Sequence, residues 1–86
     1  MALSRRNQRV LEAVFTEPAP TGIRWNDVAR LLRAVGAMLA EREGSRVAVV
    51  LEGRVSILHK PHPRPEMPRG SVRNVRRILH DAGIHP

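Results

Sequence analysis

The sequence predicts an α+β fold in which helices cover one face of a three-stranded antiparallel sheet, in the order α-α-β-β-β-α. Three observations carry this. Two amphipathic stretches of helical periodicity occupy residues 4–35, and three short runs rich in Val and Ile follow, separated by Glu43-Gly44 and Glu52-Gly53. A last apolar stripe at three- and four-residue spacing closes the chain. Eighty-six residues support one hydrophobic core, so a single domain with at most a short appendage is expected.

In the first helix, Val10, Leu11, Val14 and Phe15 form one stripe behind a Ser4 cap. That stripe needs a surface to cover, either the sheet or a partner. Glu17-Pro18-Ala19-Pro20-Thr21-Gly22 then ends the helix, because two prolines and a glycine cannot continue one. The chain therefore divides into residues 1–21, a helix with a Pro-rich linker, and residues 22–86, the domain proper. The second helix runs from Asn26 to Val35, with Val28, Leu31, Leu32 and Val35 on one face and Gly36 as its stop.

Met38–Arg42, Ser45–Leu51 and Arg54–His59 read as an antiparallel meander, with Gly53 supplying the positive φ of a tight turn. A two-residue turn at Glu52-Gly53 pairs Leu51 with Arg54, Val50 with Val55, Ala48 with Ile57, and Arg46 with His59. Lys60-Pro61-His62-Pro63-Arg64-Pro65-Glu66-Met67-Pro68 excludes helix and central strand and predicts a stiff, extended loop, ordered but unpaired. Ser71 is the expected cap of the last helix, whose apolar face is Val72, Val75, Ile78 and Leu79 and whose stop is Gly83.

The net charge of +7 is unevenly placed. Basic and acidic residues balance between residues 25 and 53, whereas from residue 54 onward Arg54, Lys60, Arg64, Arg69, Arg73, Arg76 and Arg77 face only Glu66 and Asp81. This segment is therefore the expected polyanion surface, and RNA is the expected partner. All but one of its basic residues are Arg, whose planar fork suits phosphate better than the point charge of Lys. Arg73, Arg76 and Arg77 recur along one side of the last helix, opposite its apolar face. Such a face suits shape-based recognition of an A-form duplex through phosphates and 2′-hydroxyls.

Other chemistry is excluded by composition. Cysteine is absent, which removes disulfides and thiolate catalysis. A metal site built on His59 and His62 has only Glu66 as a further ligand nearby, so neither metal nor other cofactor is expected. The longest apolar run, Val47–Leu51, falls far short of the ~20 residues that span a membrane, and Met1–Leu3 before Arg5 and Arg6 lacks a signal peptide's apolar core. A cytoplasmic protein is expected. Phe15 and Trp25, the only aromatic residues, read as packing residues, which disfavours a single-strand stacking platform.

Several features recur together in one family. They are Leu31-Leu32-Arg33-Ala34-Val35-Gly36-Ala37, the turn Glu43-Gly44-Ser45, the hairpin glycine Gly53, His62 eight residues before Gly70, and Gly70-Ser71-Val72-Arg73-Asn74-Val75-Arg76-Arg77-Ile78-Leu79 through Ala82-Gly83-Ile84. With these, the segment from Gly22 to Ile84 resembles the HicA family of toxin endoribonucleases from bacterial toxin–antitoxin pairs, whose fold is similar to the double-stranded-RNA-binding domain. The resemblance implies an mRNA interferase that cleaves RNA without metal and is neutralised by a HicB-like antitoxin. It also exposes a departure. The family typically carries Gly-Ser-His or a close variant where this chain reads Gly44-Ser45-Arg46, and the resemblance makes that histidine the catalytic residue.

Cleavage requires a proton taken from a ribose 2′-hydroxyl and one given to the leaving oxygen, work suited to a group with a pKa near 7. Arg46 stays protonated and cannot be the base, but it can bind phosphate and stabilise charge developing in the transition state. Cross-strand neighbours on one face have Cβ atoms roughly 4.5–5.5 Å apart, so Arg46 and His59 could share one phosphate. The candidate catalytic residues are thus Arg46, His59 and His62, with His62 favoured for binding from the proline loop. His80 and His85 lie outside the site. A second reading keeps the fold and the charge without catalysis, as an RNA- or partner-binding module. A DNA-binding helix-turn-helix from the first two helices is disfavoured by the linker and by the near-neutral charge around the second helix.

Overall fold

Ser4 Oγ accepts the Asn7 N–H at 3.1 Å, and behind this cap Arg5–Val14 forms α1. The computed structural model describes residues 2–86 and continues with α2 (Trp25–Ala34), β1 (Met38–Glu41), a 3-10 turn at Glu43–Ser45, β2 (Arg46–Leu51), β3 (Arg54–His59) and α3 (Arg69–Asp81). The order is the expected one. Both later helices close in the same way. The Ala37 N–H reaches Leu32 O at 2.9 Å and the Gly36 N–H reaches Arg33 O at 3.1 Å, while Ile84 bonds Leu79 O and Gly83 bonds His80 O, both at 2.9 Å. These paired bonds satisfy carbonyls that a helix end otherwise leaves open.

The sheet is an antiparallel meander in the order β1-β2-β3. Alternation along the strands separates its faces. Val47, Val49, Leu51 and Leu58 are buried beneath the helices, in one cluster with Val28, Leu31 and Leu32 of α2 and Val72, Val75 and Leu79 of α3. Fully burying each such side chain contributes about 1.5–3 kcal/mol, and this term holds the two layers together. The opposite face is open and apolar. Met38, Val50, Val55 and Ile57 stand there 73%, 37%, 66% and 47% exposed.

The stripe of α1 is turned inward, into the core. It packs against α2 and α3, and Leu11, Val14 and the linker residue Ala19 belong to the same core cluster. Asn7, on the stripe's own spacing, is buried with Oδ1 unpartnered.

Two local expectations are corrected. The proline loop is paired: Trp25 N–H donates to Pro65 O at 2.9 Å, Met67 N–H donates to Ile23 O at 2.8 Å, and Arg24 and Glu66 form an antiparallel bridge. Proline cannot donate but its carbonyl accepts, so one proline and one buried methionine suffice to zip the loop to the start of α2. The last helix begins at Arg69 behind Pro68, three residues before the expected point, and Ser71 lies inside its first turn without capping it. Met67 is 3% exposed and anchored, which fixes where the chain turns, and Pro68 loses no bond at a helix start.

Candidate nucleic-acid interface

The hairpin positions the first part of the site. Glu52 and Gly53 have φ of 51° and 74°, the paired positive values of a type I′ turn, whose twist matches that of the strands it joins. That turn sets the register, and Arg46 stands opposite His59 as the sequence predicts. Both lie on the open face, and both are exposed. Arg46 Nε donates to Glu43 O at 3.0 Å, which ties the guanidinium stem to the 3-10 turn. The Lys60 N–H reaches Ser45 O at 2.7 Å, so backbone pairing continues one step past the two residues. A fixed cation beside an imidazole, with water on one side, can hold a phosphate and move a proton next to it.

Beyond the pair, Lys60 stands 4.0 Å from the Glu41 carboxylate and, with Arg64, lines a cavity at the start of α2. His62 does not line that cavity. It borders a separate hollow with Glu66 and Pro68.

On α3, Arg69, Arg73 and Arg77 are exposed, with Arg77 Nη2 donating to Asn74 Oδ1 at 3.4 Å. Arg54 reaches Asp81 at 3.7 Å, a weak surface pair that leaves it available to a stronger anion. Arg76 departs from the expected RNA face. Its Nε donates to Val14 O at 2.8 Å, its Nη2 to Thr16 O at 2.9 Å, and its Nη1 pairs with the Glu17 carboxylate. Helical spacing places Arg76 beside Arg73 and Arg77, but the end of α1 takes its whole fork. The guanidinium is a structural clamp, with a side chain only 20% exposed.

Three basic residues near the site escaped the sequence reading. Arg6, Arg24 and Arg30 converge on the cavity that Lys60 and Arg64 line. The available signal was weak: Arg24 immediately precedes a helix, where a cation is unusual, and Arg30 follows Asp27 at helical spacing.

The family model described as HicA toxin of bacterial toxin–antitoxin matches residues 25–84, more than two thirds of the chain. The chain belongs to the HicA toxin family. The HicA match opens on Trp25, the first residue of α2, and closes on Ile84, whose N–H ends α3. It contains both members of the Arg46–His59 pair and the whole sheet. Outside it lie α1 and the linker, although their side chains enter the core and their carbonyls hold Arg76. The family places the chain in a toxin–antitoxin system with an antitoxin partner. A search of the curated proteins and a search of the solved structures each give no match.

Proposed function

We propose that this HicA-family chain binds RNA through its exposed basic surface and cleaves it at the Arg46–His59 pair, as the mRNA interferase of its toxin–antitoxin system. The observation that supports cleavage is the register that sets His59 opposite Arg46 on the open face. His59 takes the 2′-hydroxyl proton, the 2′ oxygen attacks the adjacent phosphorus, and Arg46 stabilises the charge that builds on the phosphoryl oxygens. The O5′ bond breaks, the leaving oxygen takes a proton from solvent, and a 2′,3′-cyclic phosphate remains. No step draws on a metal or another cofactor. Arg54, Lys60, Arg64, Arg69, Arg73 and Arg77 hold the flanking phosphates, and His62 contributes a further contact. The partner is a HicB-like antitoxin that covers this surface, and the place of action is the cytoplasm.

A second reading is favoured by one residue. Arg46 stands where the family resemblance places a catalytic histidine, which is the change expected of a module that still binds RNA and no longer cuts it. Incubation of the purified protein with RNA separates the two. Cleavage lowered by about 10²–10⁴-fold in His59→Ala supports the nuclease. Salt-sensitive binding without cleavage supports the module. Cleavage by His59→Ala at the parental rate overturns the assignment of the base.

A further inference from the structure

The cavity at the start of α2 has a volume of about 430 Å³, within the range of small-ligand sites and large enough for a phosphate with its sugar. Five of its lining residues are basic (Arg6, Arg24, Arg30, Lys60 and Arg64) and one is acidic, Asp27. They come from three separate parts of the chain: α1, the start of α2 and the proline loop. Asp27 Oδ1 bonds Arg30 at 2.9 Å and Arg6 at 3.4 Å, which orients two of the cations. Arg24 and Arg64 have no ion pair among the described residues. The walls are held in place by the backbone bonds from Trp25 to Pro65 and from Met67 to Ile23. No side chain caps α2 here, so the positive end of the helix adds to the same field.

We infer that this cavity is a phosphate site for the RNA backbone, completed by Arg6 from the helix that lies outside the HicA match. The inference rests on the RNA-binding reading above. Strand alternation sends His59 to the open face and Lys60 to the helix side, and Lys60 lines the cavity. A strand of RNA therefore turns around the end of the hairpin, with one phosphate at Arg46–His59 and a neighbouring one in the cavity. The extra helix supplies a ligand as well as apolar surface.

The test is fluorescence anisotropy with a labelled RNA hairpin at several salt concentrations. It uses the full chain, the Arg24→Ala/Arg64→Ala double variant and Arg6→Ala, with amide NMR titrations of the parent against the RNA, inorganic phosphate and AMP. These arginines are exposed, so the variants keep the fold, and their amide spectra verify it. The double variant is expected to bind at least about 10-fold more weakly and to lose about two units of salt slope, with Arg6→Ala intermediate. RNA is expected to shift the Asn26 amide in the parent. If the parent binds RNA and the double variant matches it, the cavity inference is overturned and the RNA reading stands. If the parent binds no RNA, the RNA reading fails and takes the inference with it. Shifts at Asn26 from inorganic phosphate or AMP, with none from bound RNA, reassign the cavity to a small anion and overturn the inference.

Discussion

Arg76 of α3 donates from Nε to the carbonyl of Val14, the last residue of α1, at 2.8 Å, across 62 positions of sequence. The carbonyls at a helix C-terminus carry partial negative charge and lack intrahelical donors, so a half-buried guanidinium there meets both needs. Arg76→Ala is expected to destabilise the fold by about 1.5–3 kcal/mol, the range for hydrogen bonds to a charged group, read from urea denaturation. RNA affinity of the folded variant should stay within about twofold of the parent, whereas Arg73→Ala should lower the salt slope by about one unit. Equal losses of affinity in the two variants would return Arg76 to the RNA face.

Arg46→His introduces the residue type that the family resemblance places at the start of β2. Its expected effect depends on which reading of the chain holds. In a parent that cuts RNA through His59, the substitution changes the rate less than His59→Ala does. In a parent that only binds, it should produce cleavage that rises by about 10²-fold or more over background, measured on the same RNA. An inert Arg46→His variant of an inert parent would show that more than this side chain has been lost.

Glu52 sits in the left-handed region at φ 51°, where a side chain with a Cβ costs about 1–2 kcal/mol and Asn is better tolerated. Asn-Gly is the preferred pair for this turn. Glu52→Asn should therefore raise stability by about 0.5–1 kcal/mol without altering the register, checked by denaturant midpoint and by cross-strand NOEs between residues 46 and 59.

The two serines that precede or begin helices should respond differently to alanine. Ser4 accepts the Asn7 N–H, and Ser4→Ala is expected to cost about 0.5–2 kcal/mol. Ser71 lies inside α3 and caps nothing, so Ser71→Ala should stay within about 0.5 kcal/mol of the parent. Thermal denaturation of both variants decides the matter, and a costly Ser71→Ala would contradict the Pro68 start of the helix.

The sheet and its register were legible because both follow from local rules. Alternating Val and Ile runs define the strands, and a two-residue turn leaves a single pairing, which carries Arg46 to His59 without reference to the rest of the molecule. The helices were legible from their stripes, with Gly36 and Gly83 marking their ends. What escaped is non-local or involves the backbone. Arg76 looked like its neighbours because its partners are carbonyls, which have no sequence signature. The zipped proline loop escaped because pattern reading counts the donors that proline lacks and overlooks the acceptors it keeps. Ser71 obeyed the capping rule in type, but the anchoring of Met67 placed the helix start before it. The basic cavity could not be foreseen from spacing, since Arg6, Arg24 and Arg64 meet only after three segments have packed.

The open apolar face of the sheet gives the positive charge a second role. Met38, Val50, Val55 and Ile57 form an exposed apolar patch, a surface type that favours association, and at low ionic strength a charge of +7 on each molecule opposes the approach of two copies. Salt shortens the reach of that repulsion to about 3 Å at 1 M. The salt that would release RNA under the proposed reading therefore also weakens this repulsion, and the colloidal behaviour of the protein sets the upper end of any salt titration performed on it.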